Sequence, residues 1–325
     1  MKSAINKRWN LGFLLKEITY RIPEHSELSA ERRAEAIGFQ MSYENEVSAY
    51  ADGDGDEDVL RGIGSMASVA RKRMREAEYE IYAGGRNDRS ALAQGFRYRL
   101  IELLIRFAVG SISGHPPNAW ACSARDLAEA LACASSFGWT ESAERLTRLA
   151  LPMIADGALW APEEFDPRWE KRREPFARFA ISLWAKFMGI ELPRQPPHPY
   201  SAPVYDTLLT CWQDSDPRTL VEPLLAACDW HTHECMYSRS DRPSKNVDFI
   251  NDTLMGWPVE VHMVYRLRER LNLALPEKLD HPLMQVPLGP YLPPQPIPHD
   301  ERLDRIIRRA CSEVPGLQEV LQGAV

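Results

Sequence analysis

Eight residues, CDWHTHEC from Cys228 to Cys235, hold two cysteines, two histidines, an aspartate and a glutamate. Such side chains are common zinc ligands and common acids, bases and nucleophiles of hydrolysis. What they can do together depends on the element that carries them. The surrounding pattern predicts one helix over 217–237, along which each residue turns about 100° from the last. His231 and His233 then diverge by about 200°, so the alternate-histidine arrangement that chelates a metal from a strand fails on this helix. Leu220, Leu224, Cys228, His231 and Cys235 share one face. Asp229 and His233, four apart on the opposite face, are expected to be exposed and weakly paired. Cys228, His231 and Cys235 could supply three ligands to a metal-dependent hydrolase centred on His231. A stripe that begins with two leucines reads first as core, however, because free cysteine is among the most buried residue types. A single helix also rarely supplies a complete zinc set.

A second reactive residue sits in GWPVEVHMVYRL. Glu260 lies four, seven and eleven residues before Val264, Leu267 and Leu271, and therefore on their apolar stripe. A carboxylate there is costly unless it is paired or hydrogen-bonded. His231 poses the complementary problem on the preceding helix. The expectation is a buried polar link between the two helices, made by Glu260 with His231 or with an arginine, whose disruption by Glu260→Gln destabilises the fold. Elsewhere the sequence has no Gly-rich phosphate loop, GxSxG elbow, HExxH or CxxC. DHPL at 280–283 reads as a helix-exit turn as readily as an active-site fragment. No catalytic, cofactor-binding or metal-binding residue is therefore assigned.

The elements that must position these groups are helices. Apolar residues recur at three- and four-residue spacing over 29–50, 57–82, 91–110, 119–136, 141–155, 175–188, 205–212, 217–237, 257–273 and 300–322. Strict alternation bounded by hairpin turns is absent, so the fold class is all-α: a two-part helical bundle of stacked hairpins. LPRQPPHPYSAP carries five prolines, which cannot continue a helix. It divides the chain into an N-terminal domain (1–192), a linker (193–203) and a C-terminal domain (204–325). QVPLGPYLPPQPIPHD, with six prolines before the last helix, must run extended over a surface.

With 325 residues, 44% hydrophobic and 26% charged, the chain can bury a substantial core. No apolar run approaches the roughly 18 residues of a membrane span. The start, MKSAINKRWNLGFLLKEITY, has only a short apolar patch at 11–15 and no small-residue cleavage site, unlike a secretory signal. Six irregularly spaced cysteines suit cytoplasmic thiols better than a disulfide framework. Acids exceed bases by seven, and five acids (Asp52, Asp54, Asp56, Glu57, Asp58) fall in one segment. DGDGDEDVLRGI has the alternation of a calcium loop but puts Glu57 where the sharp-turn Gly belongs and Ile63 where the bidentate Glu belongs. It reads as a solvated acidic loop, or as a contact for a basic partner. The basic clusters at 71–76 and 168–178 interleave with acids and show neither the aromatic stacking nor a recognised fold motif of a nucleic-acid binder, so neither nucleic acid nor membrane is an expected partner.

Two regions resemble the polymorphic-nuclease immunity (PoNi) family, bacterial antidotes to secreted DNase toxins. The first is YRLIELLIRFAVGSISG followed by two helices. The second is YDTLLTCWQDSDPRTLVEPLLAACDWHTHEC, then GWPVEVHMVYRL and the closing LDHPLM. The resemblance spans about 95–285, with GW in place of the family's fuller aromatic triplet; a related helical immunity family would carry the same features. It implies a cytoplasmic, all-α antitoxin, not an enzyme, that binds the toxin of a type VI secretion system and occludes its active site, without a cofactor. Nuclease domains tend to be basic, so Asp52, Asp54, Asp56, Glu57, Asp58, Asp214, Asp216 and Asp229 are charge-based candidates for toxin contact. A helical scaffold binding a host protein is the alternative of another class. Oligomeric state stays open.

Overall fold

The computed structural model describes residues 8–20, 30–53, 59–85, 89–113, 122–155, 159, 174–192, 202–235, 248–249 and 251–321. The acids Asp54, Asp56, Glu57 and Asp58, linker residues 193–201 and part of the basic cluster, 168–173, lie outside them. The described elements are α1 (Leu11–Tyr20), α2 (Ala30–Asp52), α3 (Val59–Tyr82), α4 (Ser90–Ser113), α5 (Ala124–Phe137), α6 (Thr140–Ala155), α7 (Pro175–Phe187), α8 (Pro203–Cys211), α9 (Val221–Glu234), α10 (Val259–Arg270), α11 (Glu301–Glu313) and α12 (Leu317–Leu321). Short 3-10 turns at Pro217–Leu220, Asp252–Leu254 and Pro282–Met284 join them. The fold is all-α. Among the described residues the only β pairing is an isolated parallel bridge between Cys235 and Phe249.

Helices α3 and α4 form the most extensively packed pair, and α2 lies along α3. Their close approach needs Gly95: a Cβ there would sit 2.9 Å from the backbone nitrogen of Met74. α4 is buried almost all round, with Phe96, Leu100, Leu103, Leu104 and Phe107 at most 2% exposed and Arg97 and Glu102 buried among them. It is accordingly an interior helix. α11 shows the opposite pattern, burying only Leu303, Ile306 and Ala310 beneath an arginine-rich outer face. α5 is the hub, packing on α4, α6, α7 and α10. It starts with a reciprocal capping box between Ser123 and Asp126. At its other end, Phe137 meets Phe96, Trp139 and Trp257 with ring centroids 5.0–5.6 Å apart.

Residues before and after the 193–203 linker contribute to one buried cluster. The proline-rich stretch 285–300, expected to run extended, instead turns over 285–288 and has neither helix nor strand beyond that, and polar groups of the N-terminal half bind its carbonyls. Arg89 donates to Pro287 and Pro290 at 3.2 and 3.1 Å, and Trp139 Nε1 to Gln295 at 2.9 Å. The Gln295 amide returns a bond to the Phe137 carbonyl at 2.8 Å. Proline explains the arrangement, since it removes N–H donors and leaves carbonyls that need external partners. Gly138 ends α5 in the left-handed region (φ +83°), and a Cβ there would come within 2.6 Å of Pro294. Gly138→Ala is therefore expected to cost about 1–3 kcal/mol in urea unfolding.

Several element boundaries differ from the sequence reading, among them the following. The apolar patch at 11–15 belongs to a helix, α1, capped at Asn10, whose side chain accepts from Phe13 N at 2.9 Å. α4 does not stop at Gly110 but continues to Ser113. The helix expected over 217–237 begins as a 3-10 turn and ends at Glu234, where Cys235 becomes extended (φ −79°, ψ 151°) and bridges Phe249; 236–237 lie outside the described residues. The last helix is broken after Glu313, with Gly316 left-handed at φ +83°.

Candidate functional site

α9 sets the phase of the reactive cluster. Leu220, Leu224, Cys228, His231 and Cys235 are all 0–1% exposed and face the core. α10 starts after Pro258 and presents Glu260 from its first turn, where unpaired backbone N–H groups favour negative charge. His231 Nδ1 lies 2.9 and 3.0 Å from the two Glu260 carboxyl oxygens, and its Nε2 lies 2.8 Å from the Leu254 carbonyl. A carbonyl only accepts, so Nε2 carries a proton. Burial disfavours a charged imidazole, but the Glu260 carboxylate outweighs burial and holds the His231 pKa well above its ordinary value. The junction is thus an imidazolium–carboxylate pair, covered by the Phe249 ring at 4.3 Å.

Both ring nitrogens of His231 are committed to protein partners, which leaves no lone pair for a metal. Among the described residues no group of three His, Cys, Asp or Glu side chains could hold a metal ion. Burial, reinforced by the Glu260 charge, raises the Cys228 thiol pKa well above its usual value. Cys228 therefore stays a thiol, which is neither nucleophile nor ligand.

The opposite face of α9 differs from expectation. Asp229 does not pair with His233. It accepts two bonds from Arg8, at 2.9 and 2.7 Å, and one from His281 Nε2 at 3.0 Å, and its side chain is only 17% exposed. Burial pushes its pKa up, yet the bonds from Arg8 and His281 prevail and hold it well below the usual carboxylate range. His281 Nδ1 accepts from the Leu283 amide at 3.0 Å, which fixes the proton on Nε2, and the residue caps the 3-10 turn Pro282–Met284. His233 instead meets the edge of Trp9 at 5.5 Å. Asp229 thus fastens the chain N-terminal to α1 onto α9, and it is withdrawn as an outward contact. The local helix phase could not reveal this, because Arg8 is 221 residues away.

The other acids have separate surroundings. Asp52 is exposed at the end of α2 and pairs with Arg305 of α11 at 3.0 Å. Asp214 is exposed in the turn after α8. Asp216 caps the 3-10 turn, accepting from Arg218 N at 3.0 Å while the Arg218 guanidinium closes on it at 2.7 Å. The structure does not gather Asp52 with Asp214 and Asp216 through any contact. Of the basic cluster 71–76, Arg71, Lys72 and Arg75 line a groove of about 150 Å³ with Tyr43, Ser68 and Val69. Arg73 is drawn inward to Glu44 and Asp300, at 3.5 and 3.7 Å.

A second polar node was not picked out from sequence. Trp257 Nε1 donates to Ser136 Oγ at 2.8 Å, Ser136 Oγ lies 2.8 Å from His262 Nδ1, and His262 Nε2 lies 2.8 Å from the Gly289 carbonyl. Nε2 must donate to that carbonyl, so Nδ1 accepts the serine proton. Burial, with charge from Arg89, Arg266 and His231, lowers the His262 pKa to about 3. The residue types are those of a nucleophile and its base. The far side of the imidazole, however, meets a backbone carbonyl where hydrolases place a carboxylate, and both side chains are at most 5% exposed. Sequence offered no local signal for it, because Arg266 and Glu269 follow His262 at four and seven residues and give its face a polar pattern.

The two nodes are polar joints. One ties α9 to α10, and the other ties α5, α10 and the proline-rich stretch together. The chain matches no protein-family model, no curated protein and no solved structure.

Proposed function

We propose that this protein is an immunity protein of the PoNi type or of a related helical family. In this reading it acts in the cytoplasm by binding a secreted toxin, a nuclease domain delivered by type VI secretion, and covering its active site. The observation that carries the reading is the use made of the reactive residues. His231, Glu260, Cys228 and Cys235 are at most 1% exposed and are spent on holding helices together. The chain as a whole carries an excess of seven acids over bases. No helix among the described residues is long and apolar enough to cross a membrane. All six cysteines are free, which fits a reducing compartment.

An acidic antidote approaching a phosphate-binding, basic toxin gains association rate from complementary charge. The candidate contacts are the acidic segment that begins at Asp52, together with Asp214 and Asp216. The test is co-expression with the toxin encoded beside the gene. Protection is expected. Neutralising Asp52, Asp54, Asp56, Glu57 and Asp58 to Asn or Gln, with folding retained, is expected to weaken binding at least tenfold at low salt and less at high salt. Killing that proceeds equally with the protein present sinks the immunity reading. Full protection by the neutralised variant clears the 52–58 segment alone.

A further inference from the structure

α7 lacks a cap of its own. It starts with Pro175, and Glu174, the residue before it, makes no side-chain cap bond. The cap comes from 72 residues away: the Asp248 carboxyl oxygens lie 3.2 and 3.0 Å from the Phe176 amide nitrogen. The same carboxyl takes a bond from Trp230 Nε1 of α9 at 2.9 Å. Asp248 is 1% exposed. Its neighbour Phe249 completes the fastening, with its amide on the Glu234 carbonyl at 2.9 Å and its ring 4.7 Å from Phe176. One side chain therefore joins the start of α7 to the last turn of α9, close to the His231–Glu260 pair.

We infer that Asp248 is a proton-operated latch between α7 and α9, whose protonation state changes the strength of this joint. Among the described residues, the charged and titratable groups facing it come from four elements. α5 contributes Arg125, which favours the ionised carboxylate. α9 contributes Glu234, which opposes it. α8 contributes the buried hydroxyl of Tyr205, which senses Asp248 and Glu260 together. At the start of α7 lies Glu174, itself only 9% exposed, with Arg178 one turn on. Burial dominates this balance and raises the Asp248 pKa to about 7, despite the bonds from Trp230 and the Phe176 amide.

The sign follows from linkage. An unfolded aspartate titrates near 3.9, so the folded form retains its proton over roughly three further pH units. The stabilisation is complete below about pH 4 and is lost as pH rises through about 7. His231 and His262 also titrate differently in the folded chain, so the comparison must be made against a variant that changes Asp248 alone.

The experiment is urea unfolding of the full chain and of Asp248→Asn from about pH 5.5 to about pH 8, with the ¹³Cγ resonance of Asp248 followed in the unmodified protein. Relative to the Asn variant, the folding equilibrium of the unmodified chain is expected to fall by on the order of tenfold across that range. The Cγ resonance is expected to titrate near neutrality. A ratio that stays constant with pH overturns the latch, as does a Cγ titration complete below about pH 5. If Asp248→Asn does not fold, the resonance alone decides.

Discussion

Glu260→Ala is expected to destabilise the fold by about 3–5 kcal/mol, read as a shift in the urea midpoint at constant slope. The cost arises because the substitution strands His231. Its Nε2 proton stays on the Leu254 carbonyl at 2.8 Å, while Nδ1 loses a carboxylate at 2.9 Å in a region with no exposure. Glu260→Gln should cost less, about 1–2 kcal/mol, since the amide can still donate to Nδ1 of a neutral imidazole. The pH signature separates the two forms. His231 has its pKa raised in the fold, so its stabilisation is complete below the unfolded value of about 6.5. It is lost as pH climbs through the raised value, and this alkaline loss should disappear in both Glu260 variants. Combining Glu260→Ala with His231→Ala should cost about 1–3 kcal/mol less than the sum of the single changes. An unchanged midpoint for Glu260→Ala would show that the pair adds nothing.

Arg268→Met should cost about 3 kcal/mol or more, although it replaces a charge by an apolar chain of similar length. Arg268 is fully buried near the end of α10. It binds three carbonyls: Trp212 and Asp214 through Nη1, at 2.6 and 2.9 Å, and Ala274 through Nε and Nη2, at 3.0 and 2.6 Å. Methionine fills the space but leaves those acceptors unsatisfied, and buried unmade bonds are expensive. Two of the three lie in the turn that carries Asp214 and Asp216, so the variant should also loosen that turn. Hydrogen exchange at the Asp214 amide, which bonds the Cys211 carbonyl at 2.9 Å, reports this directly. Unchanged exchange there, with global stability retained, would assign Arg268 no part in shaping the acidic turn.

The same residues show how far sequence alone reaches. Helical phase separated CDWHTHEC into a buried face and an opposite one, and Cys228, His231 and Cys235 are indeed buried together. It placed Glu260 on an apolar stripe, though Leu271, assigned to that stripe, lies past the end of α10 and is 37% exposed. The all-α class was legible because three- and four-residue spacing recurs in almost every segment. Helix ends were less so. Gly110 has the residue type of a stop but remains inside α4, because tertiary packing overrides a propensity of about 1 kcal/mol.

Phase and composition are local: they follow from a fixed rotation of about 100° per residue and from which side chains avoid water. They determined the helical class, the inward face of α9 and the need of Glu260 for a partner. The partners themselves belong to the tertiary structure. Asp229 lies opposite the buried stripe, yet Arg8 and His281 draw it into a joint. Asp248 caps a helix that begins 73 positions earlier. Ser136 satisfies His262 across 126 residues. Such pairings depend on how helices dock, and docking is decided by the shape of the whole core, which no local window of sequence contains.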